Sequence, residues 1–91
     1  MINFFIHNNK NETIVFLCDS YSYQSSSYDS GEKFFTLNKT EENLKIIDYI
    51  LSLTSDRILC SIKVEENILC TFIIKNKQFS IQENDVSWRC F

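Results

Sequence analysis

Short runs of apolar residues, most of them alternating with polar ones, fill this chain except at one place. Residues 2–7 and 13–18 are dense in Phe, Ile and Val and read as two strands. Between them Asn8-Asn9-Lys10-Asn11-Glu12 supplies turn residues. A five-residue loop sets Ile6 opposite Ile14, Phe4 opposite Phe16 and Ile2 opposite Cys18. The other face of this hairpin then carries Phe5, Val15 and Leu17. With both faces apolar, the hairpin is predicted to be central in a sheet or covered on both sides.

The pattern lapses over residues 19–31. Asp19-Ser20-Tyr21-Ser22-Tyr23-Gln24-Ser25-Ser26-Ser27-Tyr28-Asp29-Ser30-Gly31 has no aliphatic residue, and only its tyrosine rings can anchor to a core. It reads as a long exposed loop, a length that in a compact domain usually marks function or disorder. Residues 33–37 return to an apolar strand or lead-in. Thr40 then stands where a helix cap belongs, and Glu41 and Glu42 suit the positive end of a helix dipole. The helix is predicted over about 41–53. Lys45, Asp48 and Ser52 share one narrow polar arc, so most of the circumference is apolar.

The C-terminal half reads as a four-strand meander over 57–64, 68–75, 78–83 and 86–91. Ile58, Cys60, Ile62 and Val64 share one face. A turn at Glu65-Glu66-Asn67 sets Ile62 opposite Cys70 and Cys60 opposite Phe72. Two-residue turns at Asn76-Lys77 and Asn84-Asp85 extend the meander, the second setting Ile81 opposite Trp88 and Phe79 opposite Cys90. These registers bring apolar residues to one face, Trp88 among them. The opposite face is polar, except where Leu59, Leu69 and Ile73 interrupt it. Cover by the N-terminal hairpin is the expectation for that patch; the alternative is a contact surface.

The predicted fold is therefore α+β: one helix packed on an antiparallel sheet, in the order β-β-(long loop)-α-β-β-β-β. Residues 1–91 form a single domain in this reading.

Charge sharpens the picture. The net charge of −3 arises wholly in residues 19–42, because the segments on either side each sum to zero. With one Gly and no Pro, the chain has no glycine-rich phosphate loop. It also has no G-x-S-x-G nucleophile elbow and no Cys-x-x-Cys pair. Cys18, Cys60, Cys70 and Cys90 each sit in an apolar run and read as packed, reduced thiols. The sole histidine, His7, is far from any cysteine in sequence and reads as a strand-end side chain. No cofactor, metal site or enzyme activity is expected. With no leader and no apolar run of membrane-spanning length, the expected compartment is the cytoplasm.

What remains is binding. Tyr gives contact area at low entropy cost, and Ser gives adaptable hydrogen bonds. Asp19, Tyr21, Tyr23, Tyr28, Asp29 and Glu32 are thus the expected partner-binding residues. Their acidity points to a partner with a basic surface, such as a toxin or nuclease-like effector. The function expected is that of a small inhibitor or neutraliser, physically akin to immunity proteins. The alternatives are a homodimer formed through a sheet edge and a weak nucleic-acid-binding face built on Lys63, Lys75, Lys77 and Arg89. Against the latter stand the inward Trp88 and the acidic turn tips, which intersperse charges of both signs.

Overall fold

The computed structural model describes residues 2–8, 10–25 and 33–91. Strands β1 (Ile2–His7) and β2 (Thr13–Cys18) form the hairpin in the register read from its turn, with Phe4 opposite Phe16 and Ile6 opposite Ile14. One side chain organises that turn. The Asn8 side-chain oxygen accepts the backbone N–H groups of Lys10 at 2.9 Å and Glu12 at 3.1 Å. Asn11 takes a φ of 59°, which asparagine tolerates better than most residues.

The segment expected as one exposed loop holds a strand instead. β3 (Ser22–Ser25) pairs with β4 (Lys33–Asn38), Tyr23 opposite Phe35. Alternation again explains it: Tyr21 and Tyr23 lie two apart, so both rings reach one face. There the Tyr21 ring lies 5.7 Å from Phe35 and the Tyr23 ring 5.3 Å from Phe72.

Helix α1 (Glu41–Ser52) begins where its cap was read. The Thr40 hydroxyl accepts the Asn43 N–H at 3.3 Å, and Glu41 and Glu42 occupy the first turn. Ile46, Ile47 and Ile50 are buried, as is Asn43.

The remaining strands are β5 (Arg57–Val64), β6 (Asn67–Ile81) and β7 (Asp85–Cys90). The expected reversal at Asn76-Lys77 does not occur, and the strands expected at 68–75 and 78–83 are one element. Arg57 is the first residue of β5 and pairs with Lys75, so beyond that point β6 has left β5 behind. Its polar stretch is an irregularity: from Ile74↔Cys90 to Phe79↔Trp88, β6 advances five residues while β7 advances two. The last hairpin turns one residue early, with the Gln82 N–H bonded to the Asp85 carbonyl at 2.8 Å. Ile81 therefore faces Val86, and Phe79 faces Trp88. Each partner moves by two residues, which keeps the side-chain parity along β7. Trp88 is fully buried. In the first of these hairpins Cys60↔Phe72 and Ile62↔Cys70 pair as read, and Glu65 turns the chain with a φ of 56°.

All seven strands join one antiparallel sheet in the order β2-β1-β5-β6-β7-β4-β3, with one helix packed on it, an α+β architecture. That order makes β2 and β3 the two edges, although only three residues separate them in sequence. Across a flat sheet the edges would lie about 29 Å apart, six strand spacings. The four steps from Cys18 to Ser22 span at most about 14 Å. The sheet must therefore curl until its edges nearly meet. Ring contacts across the interior agree: Phe4 of β1 lies 5.3 Å from Phe35 of β4, and Phe35 lies 4.7 Å from Phe72 of β6. The helix leans on both β2 and β4, across the open seam. Phe4, Phe35, Phe72 and Trp88 fill the interior with the helix isoleucines.

Candidate functional site

Two regions carry features that the folding of a core does not require. The first is the seam between the sheet edges. Asn43 is fully buried one turn into the helix. Its side-chain oxygen accepts the Asp19 N–H at 2.9 Å, and its amide donates to the Ser20 carbonyl at 2.9 Å. One side chain thus satisfies two backbone groups of the link from β2 to β3, one donor and one acceptor. Asp19 itself is exposed, at the helix end that carries Glu41 and Glu42. Glu42 pairs with Lys45 at 3.7 Å, an exposed contact of little energetic weight.

The seam holds three members of the expected binding set. Tyr21 and Tyr23 are half-buried, with their rings packed against the core. Burial raises the ionisation of both hydroxyls above the usual tyrosine value, with nearby thiols adding to it: Cys70 and Cys18 for Tyr21, Cys90 and Cys70 for Tyr23. Asp19 remains accessible. Tyr28, Asp29 and Glu32 lie outside the described residues. Asn43, which organises the seam, was not singled out from sequence. Its signal was a poor helix former placed inside the first turn, where its amide can serve a neighbouring backbone.

The cysteines are free, and three of the four are buried. Burial pushes Cys18 and Cys90 up to about 11. It raises Cys60 and Cys70 as well. Thiols held protonated are poor nucleophiles and poor metal ligands. Among the described residues, no group of three or more His, Cys, Asp or Glu is placed to hold a metal ion. His7 Nδ1 contacts the Thr13 hydroxyl at 2.9 Å on the exposed end of the hairpin. A recess of about 470 Å³ lies between the Asn8 turn and the end of α1, where Asn8 donates to the Tyr49 hydroxyl at 3.3 Å. Lys10 and Glu12 line it with opposite charges.

The second region is the outer face of the sheet. The N-terminal hairpin was expected to cover the Leu59, Leu69 and Ile73 patch. It does not, because β1 pairs edge-on with β5 and lies beside the patch. Instead the hairpin adds its own apolar face to the surface. Val15, Leu17, Leu59 and Leu69 are 51%, 45%, 41% and 51% exposed. The strip continues across strands: Leu59 faces Ile73, and Ile73 exchanges two backbone hydrogen bonds of 2.9 Å with Phe91.

Cations accompany the rings on this face. The Lys63 ammonium sits 4.6 Å from the Phe5 ring centre and Lys75 4.2 Å from that of Phe91. The Arg89 guanidinium lies 5.6 Å from Phe91. Strand alternation puts Arg57, Lys63, Lys75 and Arg89 outward. Among the described outward strand positions the only carboxylate is Asp85, at the first residue of β7. Charges that looked interspersed along the chain are therefore segregated in space. Glu65, Glu66 and Glu83 sit at turn tips, Asp19, Glu41 and Glu42 at the helix start, and cations on the sheet.

No helix among the described residues is long and apolar enough to cross a membrane. No protein-family model, no curated protein and no solved structure matches this chain.

Proposed function

We propose that this chain is a small protein-binding inhibitor or neutraliser that blocks its partner by direct contact, and that the contact is made by the outer face of the β2-β1-β5-β6 sheet. The observation carrying this reading is that large apolar side chains on that face are exposed among the described residues, with no described element over them. A stripe of Val15, Leu17, Leu59 and Leu69 serves no core, yet it exposes area that water disfavours. The cations bordering it favour a partner whose contact surface carries carboxylates.

A second reading keeps the basic-surfaced partner, a toxin or nuclease-like effector. It is favoured by the Asn43 clamp, which holds Asp19 at the acidic helix start.

The test separates the two. Wild-type protein and variants are used as bait in lysate of the source cells. On the first reading a stoichiometric protein is retained by wild type and by a double Asp19→Lys, Glu41→Lys variant. It is lost from Leu59→Glu or Val15→Glu, with affinity falling about 30-fold or more. The reverse pattern would transfer the site to the acidic seam. A mass that doubles with concentration in sedimentation, with Leu59→Glu restoring the monomer, would make the face a homodimer interface and remove the inhibitor reading.

A further inference from the structure

The recess of about 470 Å³ lies at the opposite end of α1 from the Asn43 clamp, where the β1–β2 turn meets the residues that follow the helix. Its volume falls in the range of small-molecule sites, about 300–1,000 Å³. Asn8 builds one wall of it. The Asn8 side-chain oxygen holds the backbone N–H groups of Lys10 and Glu12, and its amide reaches across to the Tyr49 hydroxyl at 3.3 Å. One side chain thus fixes the backbone of two charged residues against the helix. The Tyr49 ring is held in turn by Phe16, whose ring centre is 5.4 Å away.

The charges on this wall have no partners. Lys10 and Glu12 both line the recess, yet among the described residues neither forms an ion pair, with the other or with a third group. The Tyr49 hydroxyl accepts from Asn8, so its own proton is left to donate. Leu53 and Thr54 line the recess directly after the last residue of α1. The negative end of the helix dipole therefore lies beside it, and no basic side chain in the last turn offsets that end. Ile14 and Leu53, both half-buried, give the recess an apolar side. Ile14 pairs with the fully buried Ile6, so the recess belongs to the inner side of β2 and is separate from the outer face.

An occupant that matches this lining carries one positive charge, one negative charge and an apolar body. We propose that the recess binds a small zwitterion of the α-amino acid class with a large apolar side chain, either free or as a short peptide with both ends unblocked. The carboxylate meets Lys10 and the Tyr49 hydroxyl. The ammonium meets Glu12 and the negative end of α1, and the apolar body rests on Ile14 and Leu53. A zwitterion suits this wall better than an ion of either sign, because an ion would face one like charge.

The probes are L-leucine and the dipeptide Leu-Leu, titrated into isotope-labelled full-length protein and followed by amide NMR. The expected result is saturable shifts centred on Lys10, Glu12, Leu53 and Thr54, and the tighter ligand identifies the source as free amino acid or peptide. The N-acetylated and the amidated forms of that ligand each lack one charge. Each binds at least about three-fold more weakly, the size of one exposed charge contact. The matching glycine compound, which lacks the apolar body, binds at least about ten-fold more weakly. Lys10→Gln and Glu12→Gln each lower the affinity about three-fold or more. Both residues are exposed, so the rest of the spectrum stays that of the folded protein. Tyr49→Phe keeps the ring against Phe16 and weakens binding as well. No saturable shift with either ligand at tens of millimolar, or shifts centred elsewhere, would overturn the site. So would an affinity indifferent to acetylation, to amidation or to the two glutamine variants, because the charges on the wall would then play no part in binding.

Discussion

The Tyr-bearing edge strand and the outer face of the sheet invert what their composition implies. Residues 19–25 are polar and aromatic and look like a free recognition loop, yet Tyr21 and Tyr23 turn inward onto Phe35 and Phe72. Residues 13–18 look like a core strand on both faces, and Leu59 and Leu69 look like a patch that the first hairpin covers, yet Val15, Leu17, Leu59 and Leu69 face water. The lesson is that a side chain's destination depends on which face of a curled sheet it stands on. The interior has room for one layer of rings; everything of opposite parity goes outside whatever its polarity.

The strongest way to break this contrast is on the inside. Phe35 is fully buried among Phe4, Phe72 and the two tyrosine rings. Phe35→Ala is expected to cost about 3–5 kcal/mol in denaturant unfolding. Tyr23→Ala should follow at about 2 kcal/mol or more, since its ring packs on Phe35 and Phe72. A stability unchanged by Tyr23→Ala would return residue 23 to the role of a free contact.

Next comes the outer face, where stability and binding should separate. Leu59→Glu is expected to shift unfolding by no more than about 0.5 kcal/mol, while costing about 2 kcal/mol or more of partner affinity. A large loss of stability with intact binding would mean that the face is framework after all.

The seam lies between these cases. Asn43→Ala leaves the Asp19 N–H and the Ser20 carbonyl without their partner. The expected cost is about 1–3 kcal/mol. Hydrogen exchange at the Asp19 amide should accelerate more than exchange in β5.

The smallest effect at neutral pH comes from the thiols. Cys18 and Cys90 ionise near their ordinary value of 9.0 once unfolded, but only at about 11 in the fold. Between those values the folded state holds more protons, so stability is full below pH 9 and falls as pH rises toward 11. Alanine at both positions should reduce that alkaline slope in a pH series of denaturant melts without abolishing it, because Cys60 and Cys70 are raised as well. An unchanged slope would assign it to other groups.

Much of the local structure was legible in the chain. The β1–β2 register followed from the length of an Asn-rich turn and from alternation, both of which act over a few residues. The Thr40 cap and the helix limits did too, because a cap hydroxyl and a first-turn carboxylate act within one turn. The Cys60–Phe72 pairing was readable for the same reason. Of the described members of the binding set, Asp19 is exposed at the acidic helix start, whereas Tyr21 and Tyr23 pack inward. The irregularity in β6 was hidden because Asn76-Lys77 is as compatible with a bulge as with a reversal. The choice lay with the length of β5, an element distant in sequence.

The sequence by itself therefore determined the class of the fold, the first hairpin, the helix, and which faces of β5 and β7 point inward. Tertiary structure alone decided the rest. It set the order that places β2 and β3 at opposite edges, the curl that brings them within reach of a three-residue link, and the buried Asn43 that bridges them. It decided that the tyrosines go in and the hairpin's second apolar face stays out. The physical reason is one of range: turns, caps and alternation act between near neighbours in the chain, whereas closing a sheet is a competition among surfaces for a single interior, settled only when every strand has found its place.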